Sequence, residues 1–252
     1  MTNWENFLVK KVAVVSHNYN LLNRYGDQGF TEHFAQINKV CDSEACDTIL
    51  YALFTWDEKS PVPRNNQNIF NNLKNIKCVI LEVGNKKSVR KVVEVWLKNE
   101  EQPHLLEQYF AKSSDPYAHK REFIRNIRNR IFGNGIVVIC GESNIANFAP
   151  KEGSFKDPFS FNSILKSNGV KFIFNPLHDY MTRYEMKKKR GYYSKDQRAV
   201  ITVWNQGKRK GESAIPWTFF YNGEDLTGKV QELPRQIATR PDIRIGIVPD
   251  IF

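Results

Sequence analysis

The chain has 252 residues, 41% hydrophobic and 25% charged, with a formal net charge of +10. That is ordinary for a soluble globular protein with room for one sizeable core or two small ones. No apolar run approaches the roughly 18 residues of a membrane helix. The start, MTNWENFLVKKVAVV, lacks the basic opening, long apolar centre and small-residue cleavage site of a signal peptide, so a cytoplasmic protein with no membrane partner is expected. Four scattered cysteines (Cys41, Cys46, Cys78, Cys140) form no C-x-x-C pair, which argues for reduced thiols over disulfides or a zinc site.

In chain order, KVAVVS (11–16) predicts a buried strand. Phe30, Phe34, Ile37 and Val40/Cys41 fall on one helical face over 30–45. DTILYALFTW (47–56) predicts a second buried strand, 66–75 a short helix, and IKCVILEVG (76–84) a third strand closed by Gly84. Residues 88–112 could begin as a helix, but Val92, Val93, Val95 and Trp96 suit a strand, so a β-hairpin ending at Lys112 is preferred. A short helix is expected within 119–132, then the strand GIVVIC (135–140). A helix over 157–169 turns Phe161, Ile164 and Leu165 inward and ends on Gly169. VKFIFNP (170–176) is a strand stopped by Pro176, followed by a basic helical segment. RAVITVWN (198–205) and IPWTFFYNG (215–223) read as a strand pair, and the tail DIRIGIVPDIF as a last short strand. Strands with helices between them and hairpins in the middle and at the end predict an α/β layered fold with mixed sheets. With no repeat and no composition break, a single domain over 1–252 is the simpler reading.

Cys140 stands where an apolar run gives way to Gly141-Glu142-Ser143. At the C-terminal edge of a sheet, side chains face the crevice where α/β proteins place ligands. A glycine next to it permits a close backbone approach. The ordinary reading is a buried core thiol. A nucleophile would need deprotonation and positive charge or N–H donors near the oxyanion. Lys112 could serve if its strand ends on the same edge.

The order of elements, with QYFAK (108–112), VVIC followed by Gly141-Glu142, KFIFNP (171–176) and RAVITVWNQG (198–207), resembles the carbon–nitrogen hydrolase, or nitrilase-like, superfamily, from about residue 11 to about residue 228. The resemblance implies a four-layer α-β-β-α sandwich with two mixed sheets, commonly a homodimer. It implies a cysteine nucleophile at Cys140, a lysine at Lys112 that stabilises the tetrahedral intermediate, and a second glutamate, for which Glu122 is the nearest candidate. It implies an amide or nitrile substrate and no metal or organic cofactor. The chain departs from the pattern at the general base. A Pro-Glu pair is expected at the end of the second strand, where this sequence has Ala52-Leu53, with Asp57 and Glu58 four and five residues beyond Leu53. Leucine cannot take a proton, so a catalytically inactive binding or regulatory relative is the alternative.

Weaker constellations remain. His17, His33, His104, His119 and His178 show no metal-ligand spacing. Cys140 and His178 could form a Cys–His pair, with Asp179 adjacent. Glu82 and Lys86 are spaced too widely for a nuclease E-x-K arrangement. The basic run MKKKRGYYSKDQR (186–198) could be a solvated helix or a patch for an anionic ligand, with Tyr192 and Tyr193 available to stack on bases, which keeps a nucleic-acid partner as a further alternative.

Overall fold

The structure is a computed structural model that describes residues 3–18, 30–53, 56–57, 63–84, 92–178, 180, 183–207, 214–234, 240 and 242–251. Its strands are β1 Val12–His17, β2 Thr48–Tyr51, β3 Trp56–Asp57, β4 Cys78–Gly84, β5 Val92–Leu97, β6 His104–Glu107, β7 Ile131–Phe132, β8 Gly135–Val137, β9 Asn147–Ala149, β10 Ser154–Lys156, β11 Phe172–Pro176, β12 Ala199–Val203, β13 Trp217–Tyr221, β14 Glu224–Asp225, β15 Gln231–Glu232 and β16 Ile243–Ile247. The helices are α1 Asn3–Asn6, α2 Phe30–Ser43, α3 Asn66–Phe70, α4 Tyr117–Arg125, α5 Phe161–Ser167 and α6 Tyr184–Tyr193. One eight-stranded sheet runs β15-β16-β1-β2-β4-β5-β6, with β3 also on β4. A six-stranded sheet runs β14-β13-β12-β11-β8-β7, and β9–β10 form a separate ribbon.

Period-two alternation explains the layers. Val12 and Val14, Leu50, and Cys78 and Ile80 meet Val137, Phe172, Phe174 and Ile201 in a core between the two sheets. The intervening residues of the first sheet, Ala13, Val15, Ile49, Val79 and Leu81, pack under α2 and α3. Those of the second, Ile136, Ile173 and Val200, pack under α4, α5 and α6. The result is the expected α-β-β-α sandwich. The parallel trios β1/β2/β4 and β8/β11/β12 form the centres of the two sheets. At their C-terminal ends, the Asn18↔Gln206 bridge and Asn205 join the sheets. Asn205 Oδ1 accepts from the His17 N–H (3.0 Å), and its Nδ2 donates to the Leu53 carbonyl (2.8 Å).

Several expectations are corrected. The hairpin forms, but β6 closes at Glu107, not Lys112. The amides beyond it leave the ladder: Tyr109 N–H goes to Glu142 (2.8 Å), and Ala111 and Lys112 N–H go to Asp115 Oδ2 (2.7 and 2.9 Å). The second strand stops at Tyr51, and Trp56 belongs to β3. Residues 135–140 do not stay extended, because a 3-10 turn begins at Cys140. The N-terminal helix and the β9–β10 ribbon carry no clear periodicity and are not anticipated. Among the described residues no helix is long and apolar enough to cross a membrane.

The inter-sheet layer carries much of the stability. Phe174→Ala, at a fully buried position, is expected to cost about 3–5 kcal/mol in urea denaturation, whereas Leu105→Ala, at an exposed one, stays within about 0.5 kcal/mol.

Candidate active site

Strand alternation carries Glu82 into the site. Cys78 and Ile80 point between the sheets and Val79 and Leu81 point away, so Glu82 follows them to the inter-sheet side at the end of β4. It is 1% exposed. A lone carboxylate there would cost several kcal/mol, on the order of the penalty for an unpaired buried ion. His178, just beyond β11, meets it: the ring Nε2 lies 2.8 Å from Glu82 Oε1.

The titration of His178 also responds to Cys140. Burial pulls the His178 pKa down. Hydrogen bonding to Cys140 and then to Glu82, with the charges of both, outweighs it and raises the pKa above the ordinary histidine value. Side chains from near the ends of β4, β8 and β11 thus bring a carboxylate, an imidazole and a thiol into one neighbourhood.

Cys140 is held in a conformation that L-residues rarely adopt, with φ +42°. Such a residue costs about 1–3 kcal/mol and needs surrounding structure to fix it. Asn175 Nδ2 donates to the carbonyls of Val138 (2.5 Å) and Cys140 (3.1 Å), and Ser143 Oγ donates to the Cys140 carbonyl (3.2 Å). Gly141 is packed so tightly that an added Cβ would stand 1.9 Å from the Ala111 carbonyl oxygen. The segment after β6 thus lies against the Cys140 turn, and Asn144 Nδ2 ties it down through the same oxygen (3.1 Å).

That segment carries Lys112. The lysine backbone is close to the turn, but its side chain is exposed, and its ammonium makes no hydrogen bond or ion pair among the described residues. Glu122 is exposed on α4. Leu53 is 1% exposed and is part of the inter-sheet core, so among the described residues the end of β2 offers no base. Asp57 pairs in β3 with Gly84, two residues past Glu82, but its side chain, like Glu58, Asp179 and Lys86, lies outside the described residues. Among the described residues no three potential ligands gather as a metal site.

The sequence offers His178 as a partner for Cys140 and sets Glu82 near Lys86, but no motif joins His178 to Glu82. The signal that could have joined them is Cys78-x-Ile80-x-Glu82, an apolar alternation whose next inward position is an acid.

The basic run turns partly inward. Lys189 and Arg190 are buried on α6, and Lys189 Nζ donates to Asn144 Oδ1 (2.7 Å). Tyr193 is buried with its hydroxyl on the Ser143 carbonyl (2.8 Å), and Tyr192 stacks on Phe155 at 4.3 Å. Neither tyrosine is left as an open platform for a base.

No protein-family model and no curated protein sequence matches the chain. Solved structures do. A carbon–nitrogen hydrolase from Helicobacter pylori G27 superposes with a TM-score of 0.51 at 10% identity, over 96% of this chain and 90% of that one. An amidase from Nesterenkonia sp. gives 0.51 at 8% identity, over 97% and 94%. A mutant of the Nesterenkonia sp. AN1 amidase, showing covalent addition of the acetamide moiety of fluoroacetamide at the active site cysteine, gives 0.51 at 8% identity, over 97% and 94%. Nesterenkonia AN1 amidase is of the nitrilase superfamily. At these identities the likeness is one of fold, and the fold is the nitrilase fold.

Two outcomes test this geometry. Gly141→Ala forces the Ala111 segment away and is expected to lower the melting temperature and slow alkylation of Cys140 by iodoacetamide; an unchanged protein would contradict the close approach. A histidine whose pKa is raised on folding adds stability that is fully present below its unfolded value of about 6.5 and is lost as pH rises through the folded value. The melting temperature of the wild type relative to His178→Gln is therefore expected to be highest in mild acid and to decline above neutrality.

Proposed function

We propose that the protein is a thiol-dependent amide hydrolase on the nitrilase fold, in which Cys140, His178 and Glu82 do the work of nucleophile, base and orienting carboxylate. The observation that carries this reading is His178, whose Nε2 lies 2.8 Å from Glu82 Oε1 and whose pKa is raised by Cys140 as well as by Glu82. His178 takes the thiol proton as the Cys140 sulfur bonds to the amide carbon. The imidazolium, stabilised by Glu82, returns that proton to the leaving nitrogen as the C–N bond breaks. Water then attacks the thioester, His178 accepts its proton, and the C–S bond breaks to release the acid and the free thiol. Lys112 remains the proposed donor to the oxyanion: its segment lies on the nucleophile turn and its ammonium is unengaged among the described residues. Glu122 is proposed only as an auxiliary acid, and its exposure on α4 gives that role little support.

The fold neighbours support an amide as the substrate class, because one of them carries an acetamide group on its cysteine. The second reading, an inactive binding relative, draws on Leu53, which fills with hydrocarbon the place where a base was expected. Fluoroacetamide separates the two. The active reading expects one equivalent on Cys140 by intact-mass and peptide analysis, with labelling slowed about 100-fold or more in His178→Ala. Glu82→Gln and Lys112→Ala are expected to be slowed less, by about tenfold or more. Equal labelling of wild type and His178→Ala would leave the inactive reading standing.

A further inference from the structure

Two residues past the nucleophile stands Glu142, wholly buried. Its carboxylate receives four N–H donors. Oε2 accepts from Arg130 Nη1 (2.8 Å) and the Ile139 amide (2.8 Å), and Oε1 accepts from Arg130 Nη2 (3.0 Å) and the Tyr109 amide (2.8 Å). The Glu142 amide in turn donates to the Ile139 carbonyl (2.9 Å). Both polar backbone groups of Ile139, the residue before Cys140, therefore end on Glu142.

Arg130 is 1% exposed, its guanidinium lying over the rings of Tyr109 (5.2 Å) and Phe123 (5.0 Å). Nη1 also donates to the Val137 carbonyl (3.3 Å), and Nη2 to the Glu107 carbonyl. One ion pair thus joins the last residue of β6, the last residue of β8, the segment that crosses Gly141, and the turn itself. A buried pair of this kind adds little net stability compared with an apolar replacement, and breaking one partner is expensive. Burial pushes the Glu142 carboxyl up to about 7 against the pull of Arg130 and the two amides. What the arrangement supplies is a fixed direction for the residue that follows Ile139.

We propose that Glu142 and Arg130 are positioning residues that hold Cys140 in its left-handed conformation, aimed at His178. The inference rests on Cys140 being the nucleophile. Neither residue is in the Glu82–His178–Cys140 series, so removing the clamp misplaces the sulfur without removing the base.

The test is the rate of fluoroacetamide labelling as a function of probe concentration in Glu142→Gln, which keeps the shape and one acceptor oxygen. The saturating rate is expected to fall about 100-fold. The half-saturating concentration is expected to stay put, because His178 and Glu82 are untouched. Full-rate labelling in the folded variant, or a loss that comes wholly from a raised half-saturating concentration, overturns the proposal. If Glu142→Gln does not fold, Arg130→Lys is measured in its place; it keeps the charge but loses the fork, and the same loss is expected. Hydrogen exchange of the Ile139 and Tyr109 amides gives a reading that does not depend on the chemistry. It is expected to speed up in the variant even if wild-type Cys140 proves unreactive, an outcome that would sink the nucleophile reading and leave the clamp intact. Unchanged exchange at both amides overturns the clamp.

Discussion

A carboxylate cannot stand alone at the end of an apolar layer between two sheets. Glu82 is in that position because β4 alternates, and the constraint dictates much of what surrounds it. It requires a donor from the facing sheet, and His178, just beyond β11, lies 2.8 Å from it. The two sheets must also stay in register at their C-terminal edges for the contact to exist. Asn205, bonded to His17 and Leu53 across the gap, secures that register.

The departure at Leu53 takes on a different meaning in this geometry. β2 and β4 are parallel neighbours, with Leu50 opposite Ile80. Glu82 thus stands on the strand beside the one where the resemblance implies a base, and neighbouring strands lie about 4.8 Å apart. Leu53 adds to the hydrocarbon of the inter-sheet core. A glutamate that meets the sulfur directly could act as base itself. In the proposed mechanism Glu82 instead orients a histidine, the arrangement of a Cys–His–acid hydrolase.

Much of the fold was legible because alternation and apolar runs report burial locally. The strands that became β1, β4, β11 and β12 and the helices α2 and α5 follow directly from side-chain period, and their order carried the layered architecture. Cys140 was legible as the residue where such a run ends. The hairpin was legible, but its end was not, since side chains of Glu142 and Asp115, distant or out of line with any period, take the amides of Tyr109, Ala111 and Lys112 out of the ladder. The inward turn of Lys189 and Arg190 was hidden for the same reason, because a charge run looks alike whether it faces water or Asn144. The site was half legible. Glu82 and His178 are 96 residues apart, and nothing in composition or spacing links them until the two sheets face each other.

The contact between His178 and Cys140 is the point on which the account turns, and a titration of the His178 ring by proton–nitrogen NMR measures it most directly. The midpoint is expected to lie above the ordinary histidine value in the wild type, to fall in Cys140→Ala and to fall again when Glu82→Gln is added. A midpoint that ignores the loss of the thiol would contradict it.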